Sequence, residues 1–540
     1  MGANDSAPGR RAVLGAAIAA LSWAAAEAAS GAAAGGTRPS NPLLQAAAAR
    51  EVQGTASPVA GSSNQRPVRV SAKRPGVTSD VASKRWTTPK LEGFLGQHAS
   101  TPQQRKVDVY INSTLGSIRI KAYRIGHYNG EGQRLVWTSG PVRVQRQRRF
   151  AVGSKTRMVS CPWRVSTRVD TTGWPDGLYY LALAGASGRT HRIPLVVESA
   201  SVLGKAVLVF NDCTMQAYNK WGGYSLYTGP NHSTATRSYK VSFDRPYRNF
   251  DEVELRNAPL VRAAEAIDDP GVKLAYTTEA RISRNPGLVH GAAAVIFAGH
   301  SEYWSPALRR TVEGARDKGT NIVFFGANNV YWRTRLESSF TGTNRVLVCY
   351  RKARLDPYRR RHPEAVTTQW REGPAAKPES TLTGSVYGDL GVKGTFTVTD
   401  PGFFAFAGTG AGRGARFPGL TAGETDRVYP KAVRRAFAYA KKLHIFAHSP
   451  ASGKHDSRGW SDSTFYVAPS GAGVLNMGTM AWLQAQADRA VPARSRKFAR
   501  QVTQNIIREA ALGPLGHRDR RTRPNPTGLP RDRQRRRILI

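Results

Sequence analysis

Short runs in which apolar and polar residues alternate dominate the first folded stretch of this chain. Between Val107 and Glu198 the segments "KVDVYINS", "SIRIKAYRIG", "RLVWTSG", "LYYLALAG" and "HRIPLVVES" follow one another, separated by Gly, Asn, Asp or Pro turns. A period of two places every second side chain on one face, so each run predicts a half-buried strand. No helical period interrupts them, and the spacing predicts an antiparallel β-sandwich of roughly 110 residues.

After Ser201 the pattern changes. "KAVLVF" (205–210), "VKLAYTT" (272–278), "AAAVIFAG" (292–299) and "NIVFFG" (321–326) read as buried strands, with "NAPLVRAAEAI" (257–267) and "PALRRTVEGARDKG" as helices between them. Ser305 is placed to cap the second helix, Pro306 to occupy its first turn and Gly319 to stop it. Such alternation predicts an α/β domain with a mostly parallel sheet covered by helices. Beyond residue 340 the pattern is less regular, with further strands near Leu347, Phe396 and Val474. The expected layout is a β-sandwich over 86–200 and a larger α/β domain over 201–510.

The ends of the chain read differently. Arg10 and Arg11 precede an apolar stretch and small residues near Ala28. Residues 1–29 therefore read as an export signal, the arginine pair suggesting the twin-arginine route, and the mature protein is expected outside the cytoplasm. Residues 30–85, rich in Ala, Gly, Ser and Pro, read as a linker. Residues 511–540 hold nine arginines against two aspartates in a Pro/Gly-rich stretch and read as a disordered basic tail.

Composition adds constraints. A chain of 540 residues, 40% hydrophobic, has enough apolar surface for more than one core. Its net charge of +42 suits nonspecific contact with anionic polymers or the cell envelope through the tail, but no nucleic-acid module accompanies it. Specific nucleic-acid recognition is not expected. Three cysteines, Cys161, Cys213 and Cys349, allow at most one disulfide and no Cys-rich metal site.

In open parallel sheets, ligands bind beyond the carboxyl ends of the strands. That rule selects "NDCTMQAYNKWGGYSLY", "TTEA", "HSEYW" and "ANNVYW". It concentrates His300, Glu302, Tyr303, Asn328, Asn329, Tyr218 and Tyr224 at one edge. A serine-hydrolase elbow at Ser301 fails at its last position, where Tyr303 stands in place of a small residue. Ser470 in "APSGAG" has no better claim. Carboxylate, phenolate and imidazole could instead hold a hard cation such as ferric iron. A polar turn bonded to the strand ends competes with that reading.

The ordered motifs "CTMQAYNKWGGYSLY", "GHSEYWSPALRRTVEGARDKGTNIVFFGANNVYWRTRLE", "LTAGETDRV" and "YVAPSGAGVLNMGTMAW" resemble the large (β) subunit family of N,N-dimethylformamidase. Upstream, "IKAYRIGHYNGEGQRLVWTSG" and "WPDGLYYLAL" resemble the β-sandwich domain that precedes it. The resemblance covers about residues 105–485.

That resemblance implies one Fe³⁺ per chain, held by two tyrosines and a glutamate and used to hydrolyse a small amide or related C–N bond. By motif the glutamate is Glu302, one tyrosine Tyr218 and the other Tyr179. The alternatives Tyr180 and Tyr224 stay open. The implied catalytic residues are His300, Asn328 and Glu424. Arg351 stands where a lysine is expected after "CY", and the amidase's separate small subunit is not part of this chain. A homo-oligomer stays open, as does a noncatalytic envelope or carbohydrate-binding protein that keeps the fold.

Overall fold

The computed structural model describes residues 91–185, 188–429 and 442–518, which fall within one contact unit. The export signal, the linker and the tail beyond 518 lie outside the described residues. No helix among the described residues is long and apolar enough to cross a membrane. Cys161, Cys213 and Cys349 are buried free thiols.

The alternating runs form two facing antiparallel sheets. One contains β1 (Leu91–Leu95), β2 (Lys106–Ser113) and β6 (Thr167–Asp170). The other contains β3 (Ser117–Ile125), β4 (Gln133–Thr138), β5 (Val142–Arg143), β7 (Gly177–Ala184) and β8 (Thr190–Val197), in the order β8-β7-β3-β4 with β5 also on β3. Val107, Val109 and Ile111 pack against Ile120, Leu181, Leu183 and Leu195 in a shared core, which makes the pair a sandwich. In β7 the opposite face is buried as well. Leu178, Tyr180 and Ala182 join Leu208, Phe210 and Leu260 in a core common to the sandwich and the larger sheet.

The larger sheet has nine strands. In chain order they are β9 (Ala206–Phe210), β10 (Leu274–Thr278), β11 (Ala294–Ala298), β12 (Asn321–Phe325), β13 (Val386–Thr397), β14 (Arg416–Arg427), β15 (His444–Ser452), β16 (Gly459–Val467) and β17 (Gly473–Asn476). They lie in the order β10-β9-β11-β12-β17-β16-β15-β13-β14. The first five pair in parallel and the remaining contacts are antiparallel. The sheet is therefore mixed where a mostly parallel one was expected. The antiparallel half was obscured because β13, "VYGDLGVKGTFT", carries three glycines and its pairing with β14 shifts register three times, which erases a clean period of two.

Helices cover the parallel half on both faces. Leu208, Ile296 and Val323 meet α2 (Ala258–Glu265) and α5 (Ala493–Ala511), while Val207, Val295 and Phe324 meet α3 (Glu279–Arg284) and α4 (Pro306–Arg316). Ser305 accepts the Leu308 amide at 3.0 Å as the cap of α4. Gly342–Val348, around Leu347, belongs to a separate three-stranded sheet with Lys240–Ser242 and Arg335–Ser339. Leu515 is fully buried in the main core, so docking against it continues past residue 511, where the basic tail was expected to begin.

Candidate functional site

Three strand ends supply the site, as the rule for open sheets requires. After β9 comes α1 (Asp212–Tyr218), whose last residue is Tyr218. The chain then folds back through a loop held by Arg245, a fully buried guanidinium that donates to the carbonyls of Asn219, Trp221 and Tyr224 at 2.9, 3.1 and 2.9 Å. The Leu226 amide closes the loop on the Ala217 carbonyl at 3.1 Å. That return brings Tyr227 onto Tyr218, with ring centroids 4.3 Å apart.

The loops after β11 and β12 are laced to each other. A Cβ on Gly326 would lie 1.1 Å from the Gly299 carbonyl oxygen, so only glycine permits this crossing. The Val330 amide donates to the Ser301 carbonyl at 2.8 Å and the Trp332 amide to the Glu302 carbonyl at 2.9 Å. Asn328 and Val330 both hold positive φ, +56° and +58°, an uncommon conformation that concentrates at functional sites.

These elements aim their side chains at one carboxylate. The Tyr218 hydroxyl donates to Glu302 Oε2 at 2.8 Å, and the Tyr227 hydroxyl lies 2.7 Å from Oε1 and 2.8 Å from Oε2. The two phenol oxygens are 2.7 Å apart. Trp332 Nε1 donates to Oε1 at 3.0 Å. Asn328 Nδ2 links Glu302 Oε1 (3.2 Å) to Glu424 Oε2 (2.8 Å), Glu424 arriving from β14. His300 Nε2 stands 3.9 Å from Glu302 Oε2. Asp426 fixes the asparagine loop by accepting the Asn328 amide at 2.7 Å and the Asn476 side chain at 2.8 Å.

Burial sets the protonation tendencies. It raises Glu302, against which Arg351, Tyr227, Tyr218 and Trp332 act. Burial and then the Glu302 charge push Glu424 up to about 8. The same two causes hold Tyr218 and Tyr227 well above the ordinary phenol range. His300 is pushed well below the imidazole range by burial and then by Arg256. Two polar atoms, His300 Nδ1 and Asn328 Oδ1, are buried with no partner among the described residues. Buried polar atoms are normally bonded, so these orphans argue against a bland turn and suit a site that takes a ligand.

The set Tyr218, Tyr227 and Glu302 fits a hard cation. Three oxygen donors able to carry negative charge meet in mutual contact; burial and, for the two tyrosines, the Glu302 charge raise their proton affinities, while Arg351 acts against this at Glu302 and Tyr227. Among the described residues, Asp212, Cys213 and Glu279 also place ligand atoms within 4.8 Å of one another. Their oxygens are already engaged: Asp212 by His98 and the Ala280 amide, Glu279 by the Cys213 amide and Ser301. That second group reads as structural.

Of the residues named from sequence, Tyr218, His300, Glu302, Asn328 and Glu424 come together. Tyr179 does not. The period of two in β7 turns it into the sandwich, where its hydroxyl donates to the Pro175 carbonyl at 2.6 Å and its ring stacks on Trp174. Tyr180 faces the other way but bonds Gln133 at 3.0 Å. Tyr224 contributes its carbonyl to Arg245, not its phenol to Glu302. The second tyrosine at the site is Tyr227, the final residue of the stretch "NDCTMQAYNKWGGYSLY", whose position a strand-end argument alone does not single out. Arg351 lies behind the centre, its guanidinium carbon 3.8 Å from the Tyr227 ring and 4.7 Å from the Trp332 ring, donating to Tyr303 at 2.8 Å.

Ser301 is fully buried. Its hydroxyl donates to Glu279 and accepts from Trp304 Nε1 at 2.7 Å, with no histidine bonded to it among the described residues. Ser470 donates to the Arg316 carbonyl at 2.6 Å. Neither is set up as a nucleophile.

A family model described as N,N-dimethylformamidase beta subunit-like, C-terminal, matches residues 119–491. The matched span begins inside β3, so it takes in most of the sandwich as well as the mixed sheet. No curated protein matches the chain.

Proposed function

The chain belongs to the N,N-dimethylformamidase beta subunit-like family, and on that premise we propose that it hydrolyses a small amide or related C–N bond with the help of one iron. The observation that carries this reading is the convergence of the Tyr218 and Tyr227 phenols on the Glu302 carboxylate. These three would hold the iron. Bound there, it would supply the Lewis acidity that polarises an amide carbonyl and acidifies water.

The remaining work falls to residues around the centre. His300 and Glu424 flank Glu302 and are able to take a proton from water and return it to the leaving amine. His300 suits the base role because burial keeps its imidazole neutral. Asn328 Nδ2, already between the two carboxylates, offers a donor to the oxyanion that develops on the carbonyl oxygen. Trp332 and Asn328 orient Glu302 through their own hydrogen bonds. Export and contact with anionic envelope polymers belong to the same proposal, resting on the sequence of the two ends.

The test is metal content and turnover together. Protein from iron-replete expression should hold about one iron per chain and release amine and acid from short amides. Stoichiometric iron without any amide turnover would favour the noncatalytic alternative, and protein without iron would remove the premise of the mechanism.

A further inference from the structure

Arg256 stands against this centre with no part in it so far. It lies in a widened turn of helix, Val253–Asn257, that leads into α2. Such turns redirect side chains and recur at functional sites. Its stem crosses Gly299, the residue before His300. A Cβ there would meet Arg256 Cδ at 2.2 Å and Cγ at 2.7 Å, and the backbone φ of +59° also favours glycine. The glycine thus opens a path along which the guanidinium reaches the strand ends.

That guanidinium is underused. Arg256 is 7% exposed. Among the described residues its one polar contact is an ion pair of Nη1 with Glu252 Oε1 at 3.2 Å. Glu252 is itself held by Asn211 Nδ2, also at 3.2 Å, at the end of β9. Among the described residues Arg256 donates no hydrogen bond that meets ordinary geometry, and its Nε is buried without a partner. Its charge nevertheless acts on both His300 and Glu424. A buried guanidinium with idle donors is costly unless something supplies acceptors.

We propose that the Nε/Nη2 edge of Arg256 is an anion subsite of the centre and binds a carboxylate. The planar fork matches a carboxylate through two parallel hydrogen bonds. The Arg256 charge acts on Glu424, a carboxyl group of the centre, so a monoanion is accepted where a dianion such as phosphate is repelled. The carboxylate has two sources: the acid set free by amide hydrolysis, or a carboxylate group carried by the substrate. Only the choice of source rests on the hydrolase reading; the subsite itself does not.

The experiment titrates sodium acetate into the full-length protein by calorimetry, for the wild type, Arg256→Lys and Arg256→Met. Acetate should bind the wild type and weaken by about 10- to 100-fold in Arg256→Met, the loss expected for a charge-assisted bidentate contact, with Arg256→Lys in between. Arg256→Lys keeps the ion pair with Glu252 and decides the matter if Arg256→Met does not fold. No acetate binding to folded wild type, or equal binding by both variants, overturns the subsite. Turnover separates the sources. A product site appears as weaker acetate inhibition in Arg256→Lys with KM for neutral amides unchanged. A substrate site appears as a raised KM for carboxylate-bearing amides at constant kcat. Arg256-dependent acetate binding in a protein that hydrolyses no amide would sink the hydrolase reading and leave the subsite standing.

Discussion

The Tyr227 hydroxyl straddles the Glu302 carboxylate, 2.7 Å from one oxygen and 2.8 Å from the other. Seventy-five positions separate the two residues in the chain. Their meeting depends on the Arg245-held return loop and on the loop after β11, and it makes Tyr227 the most informative residue to alter.

Tyr227→Phe and Glu302→Gln should each strip iron from the protein while the circular dichroism spectrum stays native, because each change removes a donor and keeps the volume. A phenolate on ferric iron gives a visible charge-transfer band, so the colour should fade in step with the metal. A Tyr227→Phe protein that keeps both colour and iron would return the second ligand to another tyrosine.

Tyr179→Phe should leave iron content and colour unchanged. Among the described residues the hydroxyl it deletes bonds only the Pro175 carbonyl, so the expected cost is about 1 kcal/mol in chemical denaturation. Loss of metal in this variant would revive the ligand assignment made from the family motif.

Ser301→Ala should keep substantial turnover, whereas His300→Ala should lose much more. The serine hydroxyl serves Glu279 and Trp304, so the alanine variant should be less stable by about 1–3 kcal/mol. A covalent adduct on Ser301 with serine-directed reagents would contradict this ranking.

Metal-free protein should lose stability as pH rises. The Glu424 carboxyl is raised from 4.5 to about 8 on folding, so the folded state binds its proton more tightly. Its contribution is fully present below pH 4.5 and is lost as pH climbs through about 8. Melting temperatures across that window should fall more steeply for the wild type than for Glu424→Gln. Equal slopes would show that Glu424 is not held protonated.

Truncation separates the two parts of the C-terminus. Removing residues 519–540 should leave cooperative unfolding unchanged and weaken retention on anionic surfaces, since eight of the chain's arginines go with it. Removing 511–540 should cost at least about 1.5–3 kcal/mol more, because Leu515 is fully buried. Identical melting of the two truncations would mean that Leu515 contributes nothing.

Local pattern determined much of this protein. The period of two in "KVDVYINS" and "SIRIKAYRIG" is enough for the sandwich, because one face of each strand must be apolar. The buried runs ending at Phe210, Ala298 and Phe325 are enough for the parallel strands, and the strand-end rule then locates His300, Glu302, Asn328 and Tyr218. Each of these depends on the few residues around it. Tertiary structure decided the rest. Whether Tyr179 or Tyr180 faces the larger domain depends on which face of β7 each occupies, and Tyr227 enters only because Arg245 gathers three distant carbonyls into a return loop. Glu424 arrives on a bulged strand whose glycines hide its register, and Arg256 reaches the centre only across a glycine 43 positions away. Hydrophobic periodicity is local and can be read along the chain. The convergence of side chains from separate loops is set by packing between segments, which no single segment encodes.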